Sequence, residues 1–318
     1  MDKTTIKALD GSTFDVWIFC HAKPKATIQI LHGMAEHCLR YQALAEMLQN
    51  EGYRVIMHNH RGHGERRPVG HYADRRTGAL GGWDLLLDDV LRAQDALCGS
   101  EPRILLGHSM GSFIAQAWAM RYGEKLAALI LSGSNSQPAF MLNAGLTLAK
   151  LMKAVRGGRH PSRTMDTLSF GSFNRAFRPP RTDFDWLSRD HQQVDAYIAD
   201  PQCGHLCTLQ MWCDMLTGIK SISGTENLKI IPTQLPLYIF GGDHDPVGRM
   251  GAGLKTLSQQ YQLSGHNQVT LKLYPEGRHE MLNETNREEV CTDLLNWLNT
   301  LFENNTTEPY EHHHQPHI

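Results

Sequence analysis

A serine flanked by glycines stands at the centre of the residues that could do chemistry. In Gly107-His108-Ser109-Met110-Gly111, the residues two before and two after Ser109 are both glycine. A short apolar run ends at Leu106, and apolar residues at helical spacing follow Met110, so the sequence predicts a strand, a sharp turn and a helix. Such a turn strains the backbone of its central residue and needs small neighbours. The pattern predicts that Ser109 is a nucleophile at the carboxyl end of a strand.

A base and an acid are expected elsewhere in the chain, because an unassisted hydroxyl is a poor nucleophile. An acidic loop, Gly241 to Gly248, follows one apolar strand, and His279 follows the last one. Asp245 is the expected acid because it lies farther beyond its strand than Asp243, the alternative, and Pro246 stiffens the turn. His279 is the expected base because it lies just past the last strand, so that all three residues fall at the carboxyl ends of strands. The alternatives for this role are His32, His37, His63 and His108.

Two backbone N–H groups are expected to stabilise the oxyanion of an acyl-transfer intermediate. The first belongs to the residue after the nucleophile, Met110. The second comes from the turn His32-Gly33-Met34, which follows a strand and precedes a helix and so leaves N–H groups without partners. Met34 and Met110 are therefore the predicted oxyanion donors.

The elements that must position these residues alternate along the chain between strands and helices. Asp10-Gly11 predicts a tight turn between the first two strands, which makes the start of the sheet antiparallel. The later alternation predicts an α/β fold, a mostly parallel eight-stranded sheet covered by helices on both faces. The predicted strands are 4–9, 13–20, 26–31, 54–57, 103–106, 126–132, 235–240 and 269–274, and the predicted helices cover about 39–51, 82–97, 138–154, 203–218, 250–262 and 285–302 besides the one after Met110.

A long insertion interrupts this alternation between Ser132 and Leu235. It spans about 100 residues, where an ordinary crossover needs about a dozen plus its helix. We therefore predict a core of 1–134 and 232–305, a helical cap over 135–231 and a disordered His-rich tail over 306–318. Methionine and aromatic residues of the cap would give it an apolar underside above Ser109. The alternative is that these residues only form the core of the insertion itself.

Two finer predictions concern helix surfaces and ends. In the helix over 82–97, Asp88, Asp89 and Arg92 are expected on the polar side. Thr285 to Glu288 has the pattern of a capping box and is expected to start the final helix.

Two groups of residues are of the types that bind metals. Cys203, His205, Cys207 and Cys213 lie close in sequence but lack the paired Cys-x-x-Cys pattern of structural zinc. The loop from His58 to Gly64 is rich in histidine, but no carboxylate or cysteine accompanies it at a recognisable spacing. The sequence therefore predicts no metal and no cofactor.

Composition limits the classes of partner and compartment. The chain has 31 basic and 33 acidic residues, which gives no reason to expect nucleic acid as a partner. Its start is polar, and no stretch approaches the roughly 20 apolar residues of a membrane span. Seven cysteines without framework spacing suit reduced thiols. These features predict a cytoplasmic protein.

Several motifs together resemble one family. They are His32 to His37, Arg61-Gly62-His63-Gly64, the serine motif, Asp245-Pro246-Val247 and Arg278-His279-Glu280. Nearly the whole chain resembles the α/β-hydrolases of the serine aminopeptidase-like subgroup, which contains monoacylglycerol lipases and bacterial lysophospholipases. The resemblance implies a triad of Ser109, Asp245 and His279. The chain departs from the family at Asn59, where such proteins commonly carry an aspartate.

The resemblance and the residues together predict a serine carboxylester hydrolase that acts through an acyl-enzyme. Expected substrates are monoacylglycerols, lysophospholipids or related single-acyl esters, and a transient contact between the cap and a membrane surface is left open. Between Lys150 and Asp190 basic residues outnumber acidic ones nine to four, which would favour a phosphate-bearing headgroup. One alternative is a serine aminopeptidase, whose ammonium site would need the pair Asp183 and Asp185. The other is a non-catalytic ligand-binding protein.

Overall fold

A single mixed sheet positions the candidate catalytic residues. A computed structural model describes residues 1–67 and 81–303. The described residues form eight strands in the order β1-β2-β4-β3-β5-β6-β7-β8. The strands are β1 (Asp2–Lys7), β2 (Thr13–Phe19), β3 (Thr27–Leu31), β4 (Arg54–His58), β5 (Arg103–His108), β6 (Ala128–Ser132), β7 (Leu237–Gly242) and β8 (Val269–Tyr274).

Strand β2 pairs antiparallel with both β1 and β4, and the remaining neighbours pair in parallel. The predicted antiparallel start and mostly parallel sheet are therefore confirmed. The connection between β1 and β2 is longer than the two-residue turn predicted, because Lys7 pairs with Thr13 and five residues lie between them. In that loop the Asp10 carboxylate accepts the Ser12 N–H at 3.0 Å, and Gly11 has a φ of +82°.

Helices cover both faces of the sheet. They are α1 (Gln42–Asn50), α2 (Gly82–Leu97), α3 (Met110–Tyr122), α4 (Ala139–Arg156), α5 (Arg163–Phe170), α6 (His191–Ala199), α7 (Leu209–Ile222), α8 (Thr225–Leu228), α9 (Ala252–Leu263) and α10 (Arg287–Glu303). Residues of α2, α3 and α9 pack on one face, which includes Leu105 and Leu131. Residues of α1 and α10 pack on the other, which includes Ile104 and Ile130. Among the described helices, none is long and apolar enough to cross a membrane.

The insertion between β6 and β7 contains helices α4 to α8. Helix α7 packs against α2, α3 and α4, and Gly218 permits this because a Cβ there would lie 2.1 Å from the Trp83 ring. Helix α7 begins at Leu209, after Thr208 caps it by accepting the Met211 N–H at 3.3 Å. The predicted start near 203 is therefore wrong. Helices α5 and α6 were not predicted, since the insertion has no regular alternation of elements.

Two further predictions are also wrong, one about the surface of a helix and one about the start of a helix. Asp89 of α2 is fully buried rather than on the polar side, because it pairs with Arg61 at 2.7 Å and with Arg66 at 2.8 Å. The final helix begins at Arg287, and the Thr285 hydroxyl donates to Glu284 instead of capping that helix. The tail predicted over 306–318 lies outside the described residues.

Candidate active site

Ser109 occupies the strained turn that the sequence predicts between β5 and α3. Its φ is 51° and its ψ is −118°, a conformation that non-glycine residues rarely adopt. A Cβ on Gly107 would lie 2.3 Å from the Gly111 carbonyl oxygen, and a Cβ on Gly111 would lie 2.1 Å from the Leu31 carbonyl oxygen. The turn therefore requires glycine at both positions, and it holds Ser109 at the carboxyl end of β5.

Asp245 and His279 form a buried pair after β7 and β8. The His279 Nδ1 lies 3.0 Å from the Asp245 Oδ2, and the other Asp245 oxygen accepts the Val247 N–H at 2.8 Å. The His279 ring contacts the rings of His108 and Trp186, at centroid distances of 4.7 and 5.2 Å. The structure thus brings together the predicted acid and base and fixes the imidazole plane.

Burial and charge act in opposite directions on His279. Burial favours the neutral ring and lowers its pKa, but the Asp245 carboxylate outweighs it through charge and a hydrogen bond. The net effect is a pKa of His279 above its ordinary value. Asp245 therefore stabilises the imidazolium that a general base forms when it takes a proton.

The alternative acid and bases have other partners. The half-exposed Asp243 carboxylate lies 2.6 Å from the His244 Nδ1 and accepts the Glu276 N–H at 2.7 Å. His32 accepts the His60 N–H at 3.0 Å, and burial lowers the pKa of His32 to about 4 despite the charge of Glu36. Burial and the charge of His279 likewise lower the pKa of His108 to about 4, and its Nδ1 lies 3.1 Å from the Ser132 hydroxyl.

Ser109 and His279 line the same cavity. In the described parts of the chain, no hydrogen bond joins the Ser109 hydroxyl to the His279 ring. Catalytic hydrogen bonds are often long in unliganded enzymes and tighten only when substrate binds. The arrangement therefore keeps the serine and the Asp245–His279 pair at one site without a preformed bond between them.

The two predicted oxyanion donors lie at the ends of neighbouring strands. Met110 is the first residue of α3, where a backbone N–H has no acceptor within the helix. Met34 lies in the turn after β3, and its side chain and Ser109 line the same cavity. The insertion also holds this turn, because the Ala35 carbonyl accepts the Gly204 N–H at 2.8 Å and the Tyr197 hydroxyl at 3.1 Å.

A buried ion-pair network, which the sequence did not reveal, joins this turn to the His279 loop. Arg40 bonds Glu36 at 2.6 Å and Glu280 at 2.5 and 2.7 Å. Glu36 also accepts the Gly33 N–H and the Tyr41 hydroxyl. Burial opposes ionisation of Glu36, but the Arg40 charge prevails and lowers the pKa of Glu36 to about 2. Both glutamates lie in the motifs noted above, and the i, i+4 spacing of Glu36 and Arg40 was the available signal.

Two cavities meet at Ser109, and Met34 and Phe170 also line both of them. The first, of about 290 Å³, is the more polar of the two and is called the polar cavity; apolar side chains such as Trp186 line it together with the polar groups of Glu36, Asp166, Asp183, His205, His279 and Glu280. The second, of about 420 Å³, is mainly apolar and is lined by Phe113, Leu142, Met165, Trp212, Met215 and Leu216 among others. Residues of the insertion thus contribute to both cavities, as the predicted apolar underside requires.

Asn59, the departure from the family pattern, has a local structural role. Its side-chain oxygen accepts the Cys38 N–H at 2.8 Å, and its amide donates to Glu65. The following Arg61 is buried and pairs with Asp10 and Asp89. This loop therefore supports the segment after β3 through hydrogen bonds to Cys38 and His32.

The sheet order, the strained serine after β5 and the helices inserted between β6 and β7 define the α/β-hydrolase class. The family described as "Serine aminopeptidase, S33" matches residues 22–286. The chain belongs to this family.

Several lipases and esterases are similar to this chain in sequence or structure. A monoacylglycerol lipase of Mycolicibacterium smegmatis is 27% identical over 90% of this chain and 91% of its own length. The monoglyceride lipase of Rattus norvegicus is 27% identical over 89% of this chain and 86% of its own length. A carboxyl esterase from Bacillus coagulans has a similar structure, with a TM-score of 0.85, 27% identity and coverage of 95% of this chain and 98% of that one. The chain is a hydrolase of the esterase and lipase type.

Proposed function

We propose that this chain is a serine carboxylester hydrolase that works through an acyl-enzyme. In this mechanism the Ser109 oxygen attacks the ester carbonyl while His279 takes the hydroxyl proton. His279 then gives that proton to the departing alcohol, and a water attacks the acyl-enzyme with His279 again acting as base. Asp245 holds the imidazole and stabilises its charged form. General acid–base catalysis of this kind contributes roughly 10²–10⁴-fold to the rate.

The oxyanion that forms on the ester carbonyl would bind to the Met34 and Met110 N–H groups. Both lie beside Ser109, one at the start of α3 and the other in the turn after β3. Each donor of this type contributes on the order of 3 kcal/mol of transition-state stabilisation. The Glu36–Arg40–Glu280 network supports the proposal because it connects the Met34 turn to the loop that carries His279.

The observation that carries the proposal is the position of Ser109 between a polar and an apolar cavity. An ester of a fatty acid has one apolar arm and one polar arm that meet at the scissile carbonyl. The apolar cavity suits the acyl chain, and the polar cavity suits the alcohol. This geometry favours single-acyl lipids as substrates.

Within that class we propose monoacylglycerols, with their uncharged glycerol, ahead of lysophospholipids. Among the described residues that line the polar cavity there are several carboxylates and no lysine or arginine. Glu36 and Glu280 are paired with Arg40, but Asp166 and Asp183 would repel a phosphate, although the cap segment is basic as a whole. The names of the two sequence relatives agree with a monoacylglycerol substrate.

We propose further that 135–231 acts as a lid that touches a lipid surface. Helices α4 and α5 expose large apolar side chains, and two of these, Met141 and Leu168, also line the apolar cavity. The exposed set comprises Phe140, Met141, Leu151, Val155 and Leu168.

The seven cysteines are all free, which supports a reducing and hence cytoplasmic location.

The geometry gives less support to the two alternatives. For an aminopeptidase, the expected acid pair is divided: Asp183 lines the polar cavity, whereas Asp185 accepts the Arg181 N–H and the Thr182 hydroxyl at 2.6 Å. For a non-catalytic binding protein, a buried Asp245–His279 pair beside a strained serine would have no purpose.

A turnover panel tests the function. Matched concentrations of long-chain monoacylglycerols, lysophosphatidylcholine, short-chain p-nitrophenyl esters and aminoacyl p-nitroanilides are compared by kcat/KM. We expect monoacylglycerols to be hydrolysed at least about tenfold better than lysophospholipids and aminoacyl anilides not at all. A preference for aminoacyl anilides would overturn the esterase proposal, and a preference for lysophospholipids would overturn the headgroup assignment alone.

A further inference from the structure

Three metal-binding side chains from two distant segments meet beside the polar cavity. His63 follows β4, and His205 and Cys207 precede α7. One ligand atom of each residue lies within 4.8 Å of those of the other two. His63 and Cys207 are buried and His205 is partly buried. The sequence divided these residues between two clusters, and only the fold brings them together.

The two imidazole rings are oriented as in metal sites. The His63 Nδ1 lies 3.1 Å from the Arg61 carbonyl oxygen, and the His205 Nδ1 lies 3.3 Å from the Gln202 carbonyl oxygen. A histidine that binds a metal usually donates its other ring N–H to a carbonyl or carboxylate in this way, which fixes its tautomer and orientation. In metal sites of this kind the ligand atom is Nε2.

The Nε2 of His205 lies in a suitable environment. It is buried and makes no hydrogen bond of normal geometry with the described residues.

We propose that His63, His205 and Cys207 bind one transition-metal ion of the Zn²⁺ type. Two imidazoles and one thiolate are ligands for such ions and not for Mg²⁺ or Ca²⁺. The ion displaces the Cys207 thiol proton, which leaves to solvent, and a water completes the tetrahedral coordination. No catalytic step of the proposed hydrolase uses this ion.

A second group of similar composition makes a weaker site. His37, Asp200 and Cys203 also bring their ligand atoms within 4.8 Å of one another. In that group the His37 Nε2 already lies 2.8 Å from the Asp200 Oδ2. A metal would have to break this bond, so this second group serves as a control for the proposed site in the experiment below.

The position of the site gives the ion a structural effect. His63 belongs to the core, whereas His205 and Cys207 belong to the segment between α6 and α7. In that segment the Gly204 N–H donates to the Ala35 carbonyl, next to Met34. A bound ion would therefore hold this part of the insertion against the core at the edge of the polar cavity, which His205 also lines.

Cobalt titration of the reduced, chelator-treated full chain tests the proposal. Co²⁺ replaces Zn²⁺ in such sites and reports a cysteine ligand through a thiolate-to-cobalt charge-transfer band. We expect this band to saturate at one Co²⁺ per chain, together with the strong visible absorption of tetrahedral cobalt. The histidines near the C-terminus cannot produce the charge-transfer band, because 304–318 contains no cysteine.

Matched variants show which residues bind the cobalt ion that gives the charge-transfer band. Cys207→Ser should abolish it, and Cys203→Ser should leave it unchanged. His205→Gln, at a partly exposed position, should weaken Co²⁺ binding at least tenfold while the thermal midpoint without metal changes little. If Cys207→Ser does not fold, the His205→Gln result and anomalous diffraction at the cobalt edge decide the assignment. Absence of the band at millimolar Co²⁺, its loss in Cys203→Ser, or unchanged affinity in His205→Gln would each overturn the proposal.

Discussion

The Asp245 carboxylate controls the proton affinity of His279, and its removal makes a prediction at the scale of one residue. In the native chain this carboxylate raises the pKa of His279. Because the base must be neutral to act, kcat/KM should fall as the pH drops through that raised pKa. Asp245→Asn should lower the rate by about 10⁴-fold, since the amide no longer orients the ring correctly. It should also shift the acidic limb of the pH–rate profile to lower pH.

Asp243→Asn is the matched control for this prediction. Asp243 is partly exposed, and its partners are His244 and the Glu276 N–H. Its substitution should leave kcat/KM within about threefold of the native value and the acidic limb in place. If Asp243→Asn produced the large loss and Asp245→Asn did not, the acid would be assigned wrongly.

At the scale of elements, the passage from β5 to α3 depends on two glycines. A methyl group at Gly111 would lie 2.1 Å from the Leu31 carbonyl oxygen, a backbone atom that cannot move without disturbing β3. Gly111→Ala should lower the free energy of unfolding by about 3 kcal/mol or prevent folding. Urea denaturation measures this. Gly81→Ala, where a methyl group would meet no atom of the described residues within 4 Å, should cost less than about 1 kcal/mol.

The contact between the β3 turn and the His279 loop depends on Arg40. The folded-state pKa of Glu36, about 2, is below its ordinary 4.5, so its contribution to stability is present above 4.5 and is lost as the pH falls towards 2. Arg40→Met would leave buried carboxylates uncompensated and should cost about 3–5 kcal/mol at neutral pH. The deficit relative to the native chain should shrink in acid, where protonation relieves those carboxylates.

Thermal midpoints of the native chain and Arg40→Met between pH 7 and about pH 2.5 measure this pH dependence. The partly exposed pair of Arg92 and Asp88 supplies the control. Arg92→Met should change stability by less than about 0.5 kcal/mol across the range. A deficit in Arg40→Met that did not vary with pH would mean that the buried charges do not stabilise this junction.

For the molecule as a whole, the two cavities predict how acyl-chain length affects the rate. Gly145 lines the apolar cavity, and its nearest neighbour there is a Leu216 methyl group at 3.5 Å from a built Cβ. Gly145→Phe should reduce kcat/KM for long-chain monoacylglycerols at least about tenfold and leave acetyl esters within about threefold. Gly145→Ala should leave both nearly unchanged. Equal losses on long and short esters would exclude this cavity as the acyl site.

The sequence could predict what depends on short-range pattern. The elbow at Ser109 and the strands of the sheet follow from glycine placement and apolar runs, and the structure has Asp245 and His279 in contact as predicted. Apart from the Asp245–His279 pair, which the positions at strand ends indicate, contacts between distant segments could not be predicted. Asp89 appeared polar because its buried partners, Arg61 and Arg66, lie far away in the chain. For the same reason the Arg40 network and the meeting of His63 with His205 emerged only from the fold.

Labelling of Ser109 tests the central claim most directly. The native chain, Ser109→Ala and Ser112→Ala are incubated with a fluorophosphonate, and intact mass and peptide mapping locate the adduct. Ser112 is a buried neighbour whose hydroxyl donates to the Ser109 carbonyl, so it controls for local disturbance. We predict one adduct on Ser109, none in Ser109→Ala together with loss of ester turnover, and retained labelling in Ser112→Ala. Labelling or turnover that persisted in Ser109→Ala would contradict the account.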